Sequence, residues 1–375
     1  MSEEILFPEA LSAAVSSTPA PLPRNALRRM AALVRLIEQI ATQPIYRQQV
    51  LAEAPATAQH DPGHGSLMMG YDFHLGETGT PRLIEINTNA GGGLCAWQAQ
   101  KQATGSATLR RSKERFIASF AAEIRTFDES PFPMRIAIID ETPQEQFLYP
   151  EMAYYAELLR QQGAEVVIAS PQELNASTEG VFYRGKAIDL IYNRHCDFYL
   201  ETPELAGIRA AYEKGRVCLS PHPFAYTLFA DKRRLPLLRS DDLHNQLALN
   251  AQERQLLHDL IPESALLSSF SRDRLWSEKS QWIFKPVDRF GSRGVLAGRK
   301  ITRGRFGALD PETTLVQRLV PPSLTIAEDG SSFKTDYRLF TYRRKLIGLT
   351  ARLYQGQVTN LRTAGGGFAA VSIGN

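Results

Sequence analysis

The sequence predicts a mixed fold in which an α/β domain is joined to an antiparallel α+β part, and three patterns indicate it. Short apolar strands alternate with helices over residues 133–225, as in a parallel sheet with crossover helices. Two strands separated by a short turn predict a hairpin over residues 71–89. The last fifty residues predict an antiparallel meander of "TDYRLFTY", "KLIGLTARLY" and "GQVTNLR". Because 375 residues exceed the ~100–200 of one ordinary domain, several domains or subdomains are expected.

The composition is that of a globular protein with almost balanced charge. Apolar residues make up 43% of the chain and charged residues 22%. Forty-three basic against 40 acidic residues give a formal net charge of +3, so neither nucleic acid nor a membrane is expected as a partner. No apolar run approaches the ~18 residues of a membrane span, and "MSEEILF" does not resemble a signal peptide. Cys95, Cys196 and Cys218 lack zinc-type pair spacing, and we interpret them as reduced thiols in a cytoplasmic protein.

The remaining segments are expected to be mainly helical. Helical periodicity covers residues 22–55, 94–128 and 226–260. Between the last of these and the meander, "QWIFKPVDRFGSRGVLAG" predicts a strand, a glycine loop and a second strand.

The hairpin at 71–89 carries the first group of candidate site residues. Side chains alternate across a strand, so Asp72 shares one face with His74, and Glu85 shares one face with Asn87. If the two faces coincide, two carboxylates and an amide oxygen converge, and Mg²⁺ prefers such ligands. The glycines at 91–93 would let a backbone or ligand approach closely. The alternative is a surface hairpin with a solvated polar face.

A lysine followed by a glycine loop is the second candidate. The apolar strand "WIF" delivers Lys285, and Gly291, Ser292 and Gly294 follow in a loop rich in backbone N–H groups. Such a loop can cover phosphates while the lysine supplies a compact positive charge. The phosphate-loop pattern G-x-x-x-x-G-K-[ST] is absent from the sequence. A plain hairpin turn is the alternative interpretation.

Two further segments carry polar side chains at strand positions. "LVQRLVPP" places Gln317 in an apolar strand that either offers backbone hydrogen bonds to a ligand or is a plain edge strand. The meander offers polar side chains that suit anions or form surface pairs. These are Asp336, Arg338, Arg352 and Asn360.

Taken in order, these residues resemble the ATP-grasp ligases, and the resemblance covers nearly the whole chain. Lys232 matches the first lysine of that family, Lys285 the second, and "DRFGSRG" its flexible loop. "VQRLV" matches the adenine hinge, although Gln317 stands where many relatives have glutamate. The residues that match the family's final sheet are Asp336, Arg338, Arg352 and Asn360, and those that match its metal ligands are Asp72, Glu85 and Asn87. The metal set comes first here instead of last, so the chain resembles circularly permuted ATP-grasp proteins similar to glutathionylspermidine-synthase-type ligases.

The resemblance implies a permuted ATP-grasp fold with a Rossmann-like pre-ATP-grasp domain. The implied units are N-terminal helices with the metal-binding hairpin (1–130), the pre-ATP-grasp domain (131–225), the lysine and glycine-loop subdomain (226–315) and the catalytic sheet (316–375). The implied function is an ATP-dependent and Mg²⁺-dependent ligase, with Mn²⁺ as a possible substitute. It would join a small-molecule carboxylate to an amine through an acylphosphate.

Each matched residue carries an implied role. Lys232, Lys285, the glycine loop and Gln317 would hold ATP, and Arg338, Arg352 and Asn360 would be catalytic. Two alternatives remain: a phosphotransferase that stops at the phosphorylated substrate, and a nucleotide-binding protein without turnover. The sequence leaves the identities of the substrates and the oligomeric state open.

Overall fold

The computed structural model describes residues 5–76, 78–104, 106–127, 134–287, 294–356, 359–361 and 363–374. Gly291 and Ser292 of the predicted glycine loop lie outside these residues, and Gly294 lies within them.

The described chain contains both helices and strands. The helices are α1 (Arg24–Ile40), α2 (Pro44–Ala52), α3 (Gly93–Thr104), α4 (Ser106–Phe127), α5 (Tyr149–Arg160), α6 (Ala206–Glu213), α7 (Pro223–Ala225), α8 (Arg234–Leu238), α9 (Asp241–Gln246), α10 (Ala251–Leu260), α11 (Arg272–Ser277) and α12 (Arg303–Gly307). The strands are β1 (Ala20–Pro23), β2 (Met69–Leu75), β3 (Pro81–Asn87), β4 (Arg135–Ile139), β5 (Glu165–Ala169), β6 (Asn175–Ser177), β7 (Gly180–Tyr183), β8 (Lys186–Ala187), β9 (Leu190–Asn193), β10 (Cys218–Ser220), β11 (Ser264–Leu266), β12 (Trp282–Pro286), β13 (Leu296–Ala297), β14 (Thr314–Arg318), β15 (Ser323–Ile326), β16 (Ser332–Tyr342), β17 (Lys345–Tyr354), β18 (Gly367–Ala369) and β19 (Val371–Gly374).

The largest sheet joins the two ends of the chain. Its order is β18-β17-β16-β2-β3, with β15 also paired to β16, and its pairings are antiparallel. β2 pairs with β16 so that Asp72 lies opposite Arg338 and Tyr71 opposite Leu339. The early hairpin and the terminal meander therefore form a single sheet. The contact is sequence-distant, and it places residues of the first hundred positions beside residues of the last fifty.

The two faces of this sheet have different surroundings because side chains alternate along its strands. On one face, Tyr71 and Phe73 of β2 join a buried cluster that includes Met30, Leu33 and Ile37 of α1. On the other face, Phe340 and Tyr342 of β16 join a cluster with aromatic residues of α3 and α4. The rest of that second face carries polar side chains and borders a cleft, which a second antiparallel sheet of order β11-β14-β12-β13 closes.

Residues 134–220 contain a parallel four-stranded sheet of order β10-β9-β4-β5. Ile136 and Ile138 of β4 pack into a cluster shared with α4 and α5. Ala137 and Ile139 pack into a second cluster, which includes Ile208 of α6. One face of β4 is buried in each cluster. This explains why the buried residues of the strand form a continuous apolar run, as in most parallel sheets.

Several sequence predictions require correction. The helix predicted over 22–55 is divided into α1 and α2 by the turn before Pro44, and β1 precedes it. No strand covers the described residues of "GQVTNLR"; the strand that pairs with β17 is instead β18 at Gly367–Ala369. "LVQRLVPP" contains a central strand, because β14 pairs with both β11 and β12, so the alternative of an edge strand was wrong. Among the helices described, none combines the length and apolar character that crossing a membrane requires.

Candidate functional site

A cleft of about 410 Å³ lies between the six-stranded sheet and the four-stranded antiparallel sheet. That volume falls within the range of small-molecule sites. The polar and charged side chains that line it are Asp72, His74, Glu85, Lys285, Arg299, Gln317, Arg318, Lys334, Asp336, Arg352, Tyr354 and Thr359. The apolar side chains that line it are Ile84, Ile283, Val295, Ala297, Leu319, Val320, Pro321, Pro322 and Leu324. The cleft therefore combines an apolar surface with charges of both signs.

A β-bulge in the hairpin shapes one wall of the cleft. Asp72 pairs with Glu85, but the next residue, Phe73, pairs with Leu83, so Ile84 is the extra residue on β3. The carbonyl oxygen of Ile84 accepts a hydrogen bond from Lys285 Nζ at 3.1 Å. Ile84 lines the cleft, whereas Ile86 is buried. The bulge thus joins the hairpin to the opposite wall.

Lys285 is the buried cation on that opposite wall. Its Nζ also donates to Gln317 Oε1 at 2.6 Å, and its side chain is buried between the two sheets. The pKa of Lys285 falls from its ordinary 10.5 to about 8, mainly because of burial; the charge of Lys232 also lowers it, whereas Glu85 and Asp72 partly offset the fall. The two lysines predicted to act together are thus electrostatically coupled. Gln317 is oriented toward the lysine, whereas the backbone that follows it borders the apolar part of the cleft.

Asp72 is the centre of a buried ionic network. Arg338 donates to both of its carboxylate oxygens, from Nε to Oδ1 and from Nη2 to Oδ2, each at 2.6 Å. Arg352 Nη2 donates to Asp72 Oδ2 at 2.9 Å, and Arg352 Nε donates to Asp336 Oδ1 at 2.5 Å. Burial alone would raise the pKa of Asp72, but the two guanidinium groups hold it well below the usual range. The same carboxylates raise the pKa of Arg352 despite its burial, so the network stays ionised.

The segment after β17 reaches the cleft through Thr359. Thr359 Oγ1 donates to Asp336 Oδ2 at 2.7 Å, which occupies the second oxygen of that carboxylate. The predicted site residue Asn360 follows directly, and its carbonyl oxygen accepts from Thr363 Oγ1 at 2.9 Å. Among the described residues that line the cleft, Thr359 represents this segment in place of Asn360. Thr359 was missed because a hydroxyl in an irregular segment has no periodic signal.

Three oxygen-bearing side chains meet where β2 and β3 pair, and they bear on the predicted metal site. Asn87 Nδ2 lies 3.3 Å from Asp72 Oδ2 and 3.4 Å from Glu85 Oε1. Carboxylate and amide oxygens are the donors that Mg²⁺ takes. The positions of the oxygen and the nitrogen of an amide are assigned from its hydrogen-bond partners. A cation bound here would favour the orientation in which Asn87 Oδ1, instead of Nδ2, faces Asp72 and Glu85. Glu85 and Asn87 fit a magnesium ion, whereas Asp72 would have to share its oxygens with two arginines.

His74 lies on the same wall as Asp72. Its Nδ1 is 2.8 Å from the carbonyl oxygen of Val320, and burial lowers its pKa. A neutral imidazole can donate this hydrogen bond, which ties β2 to the segment after β14.

The glycines at 91–93 make room for the protein's own side chains. A Cβ on Gly92 would lie 1.8 Å from the ring of Phe368, and one on Gly93 would lie 2.5 Å from Met68 Cε. The backbone N–H groups of Gly92 and Leu94 donate to Glu151 at 3.0 and 2.9 Å, which satisfies the start of α3. The carbonyl of Gly91 accepts from Arg338 Nη1 at 3.1 Å. The close approach expected at the glycine run is thus made by side chains of the protein itself, and none of the three glycines is among the described residues that line the cleft.

Arg194, which follows β9, contacts the segment just before these glycines. Its Nη1 donates to the carbonyl oxygen of Asn89. Burial would lower its pKa, but Tyr192, Glu151 and Asp140 together raise it. Asp197 accepts backbone N–H groups of its own loop. No salt bridge joins Arg194 to Asp197 among the described residues.

Comparison with solved structures identifies the class of fold. A glutathione synthetase-like effector from Globodera pallida in its apo form matches 96% of this chain and 90% of its own, with a TM-score of 0.62 and 7% identity. A candidate gamma-glutamylcysteine synthetase from Methylobacillus flagellatus matches 88% of this chain and 84% of its own, with a TM-score of 0.50 and 13% identity. At sequence identities this low, the likeness shows the fold alone. The similarity of fold confirms the ATP-grasp resemblance predicted from the sequence.

Further comparisons show weaker similarity or none. The ATP-grasp ligase PsnB with a minimal precursor aligns with 64% of this chain and 90% of its own at 13% identity, but its TM-score of 0.33 is too low to support a conclusion. No family model matches the chain, and its sequence matches no curated protein.

Proposed function

We propose that the protein is an ATP-grasp ligase that uses ATP and Mg²⁺ to join a carboxylate to an amine through an acylphosphate. One observation supports this proposal above the others. A single cleft between two antiparallel sheets contains an apolar surface, the buried Lys285 and the paired carboxylates of Asp72 and Glu85. Those are the three environments that a purine, a polyphosphate and its divalent cation require.

The nucleotide would lie along the four-stranded sheet. Ile283, Ala297 and Leu319 offer an apolar surface for the adenine, and the backbone after Gln317 offers the hydrogen bonds of a hinge. Lys285 and Lys232 would hold the phosphates, with Gly291, Ser292 and Gly294 covering them. Gln317 would then position the Lys285 ammonium through the 2.6 Å hydrogen bond already present.

The metal would lie where the hairpin meets the cleft, on Glu85 and Asn87 with Asp72 beside them. Mg²⁺ would neutralise phosphate charge there. Arg338 and Arg352 are aligned by Asp72 and Asp336, so their guanidinium groups are fixed before a substrate binds. They would steady the transferred phosphoryl group, with Asn360 nearby, and closure of the glycine loop would exclude water from the acylphosphate.

The order of the parts supports a circular permutation. The hairpin at 71–89 completes the sheet formed by β16 and β17, although the whole parallel sheet and the lysine segment lie between them in sequence. We propose the units 1–130, 131–225, 226–315 and 316–375 as defined above, with 131–225 as a Rossmann-like pre-ATP-grasp domain.

A metabolite-extract screen tests the proposed function. The purified protein is incubated with ATP, Mg²⁺ and fractionated small-molecule carboxylates and amines, and ADP and new product masses are recorded. A ligase releases ADP and phosphate only when two co-substrates are present. ADP release with a single co-substrate that becomes phosphorylated would indicate a phosphotransferase, and ATP binding without ADP release would indicate a nucleotide-binding protein.

A further inference from the structure

A second cluster of potential metal ligands lies away from the cleft, where α9 and α10 face each other. Asp241 and His244 come from α9, and His258 comes from α10. One ligand atom from each of these residues lies within 4.8 Å of the others. His258 Nε2 is 3.0 Å from Asp241 Oδ1, and His244 Nδ1 is 3.8 Å from the same oxygen. None of the three residues lines the cleft described above.

The buried His244 provides an independent indication of a ligand. Its side chain has no exposed surface, and its Nε2 lies 2.9 Å from the carbonyl oxygen of Leu238. That carbonyl can only accept, so Nε2 carries the proton and Nδ1 carries a lone pair. Nδ1 is buried without a hydrogen-bond partner, and buried nitrogens of this kind are rare. A backbone carbonyl behind one ring nitrogen, with the other nitrogen free to bind, is the usual arrangement of a metal-binding histidine.

We propose that Asp241, His244 and His258 form a Zn²⁺ site that holds α9 and α10 together. Two imidazoles and one carboxylate suit zinc and neighbouring transition metals, whereas Mg²⁺ prefers oxygen ligands. Zinc bonds to such atoms are about 2.0–2.2 Å long, so donor atoms already within 4.8 Å of one another need only small rotations to surround one ion. The side chain of Asp241 is 77% exposed and that of His258 is 33% exposed, so a metal ion and a coordinating water can reach the site from solvent.

Other contacts position the two helices and leave the ligands available. Arg254 of α10 donates to Asn245 Oδ1 of α9 at 2.7 Å and to the carbonyl oxygen of Leu249 at 2.8 Å. Arg239 donates to the carbonyl oxygen of His258 at 3.1 Å. The site is therefore preorganised, and zinc would add to the stability of the folded protein by binding it in preference to the unfolded chain.

Metal titration of tag-free protein, first stripped with a chelator, tests the proposal. Zinc uptake is measured by competition with a chromogenic chelator, and Co²⁺ is used as a second probe because its absorption spectrum reports nitrogen and oxygen ligands. We expect one equivalent of Zn²⁺, a rise in the unfolding temperature that saturates with Zn²⁺, and no such rise with Mg²⁺. Failure of the wild-type protein to take up Zn²⁺ would overturn the proposal, whatever the outcome for the ATP site.

Substitutions test whether Asp241 and His258 bind the zinc ion. Asp241→Asn and His258→Ala alter partly or fully exposed side chains, and each should weaken zinc affinity by at least roughly 10–100-fold, the loss typical even for an outer-shell partner. Asp242→Asn is the matched control, because it removes the same charge from the same helical turn without removing a donor of the cluster. Equal zinc affinity of wild type, Asp241→Asn and His258→Ala would place the ion elsewhere. An equal loss in Asp242→Asn would show a nonspecific charge effect, and either result would refute the proposal.

Discussion

The charge of Lys285 is set by its burial between the two sheets, so binding of Mg–ATP should depend on pH. Its pKa of about 8 means that the ammonium is present below pH 8 and is lost as the pH rises through that value. Phosphate would stabilise the charged form, and affinity should therefore be constant from pH 7 to about 8 and fall above it, by up to about tenfold per pH unit. Calorimetric titration of ATP from pH 7 to 9.5 measures this profile.

Lys285→Ala is the control for that profile. At pH 7 it should bind ATP about 10–100-fold more weakly, because a hydrogen bond to a charged group contributes about 1.5–3 kcal/mol. Its affinity should then be unchanged between pH 8 and 9.5. The same downward slope in the variant would show that another group causes the pH dependence, and unchanged affinity at pH 7 would contradict the phosphate role of Lys285.

Glu85 is the carboxylate best placed to bind the cation, because both oxygens of Asp72 already accept from arginines. Glu85→Gln keeps the shape and removes one charge. We expect a higher Mg²⁺ concentration to be needed for half-maximal ATP binding, partial rescue by Mn²⁺, and little change in the free energy of unfolding. Glu328→Gln, an exposed carboxylate away from the cleft, is the control. A Glu85→Gln protein with wild-type Mg²⁺ dependence would exclude Glu85 as a ligand.

At the scale of elements, the glycine run before α3 gives a prediction about stability. Gly92 has a φ of 88° and lies against the buried ring of Phe368. Gly92→Ala should cost about 1–2 kcal/mol for the left-handed backbone and about 1–3 kcal/mol more for overpacking. Gly79 has a similar φ of 74°, but a Cβ added there would meet nothing within 4 Å, so Gly79→Ala should show the backbone cost alone. Equal losses in the free energy of unfolding, measured with denaturant, would contradict close packing at Gly92.

The regular strands could be predicted from sequence, whereas the bulge in β3 and the short strand β18 could not. Alternation of apolar and polar residues located β2, β3, β16 and β17, but only the structure shows that Asp72 lies opposite Glu85. The bulge at Ile84 depends on how β3 meets β2, and no residue type marks it. β18 has three residues directly after glycines, which is too short for a periodic signal.

The candidate site was predictable to a similar extent. Residue types and spacing singled out Lys285, Glu85 and Asn87 as candidates, and the structure places Lys285 and Glu85 in the lining of one cleft. The ion pair of Asp72 with Arg338 spans 266 positions, so the competition between arginine and metal for Asp72 becomes visible only in three dimensions. The partnership of Lys285 with the Ile84 carbonyl likewise depends on a contact between two sheets.

At the scale of the whole molecule, a strand near the start of the described chain lies beside a strand near its end. β1 pairs in parallel with β19, with Ala20 opposite Val371 and Pro23 opposite Gly374. Val15 also bridges to Phe368 of β18. A linker between the ends would therefore join segments that are already neighbours, which is the geometric condition for a circular permutation.

A rearranged chain tests whether the order of the parts is a permutation of an equivalent fold. The new chain begins at residue 134, ends at residue 127, and joins the old ends through a Gly/Ser linker of about 15 residues, whose mean reach is roughly 20 Å. It presents the parallel sheet first, then Lys285 and the meander, and the metal hairpin last. Because packed surfaces determine the fold and this cut lies between α4 and β4, we expect cooperative unfolding and a Kd for Mg–ATP within a few-fold of the natural order. A matched chain cut between Leu339 and Phe340, inside β16, interrupts the strand that pairs with both β2 and β17 and should fail to fold. If the first chain is also unfolded, the sheet depends on the natural order and the permutation proposal is wrong.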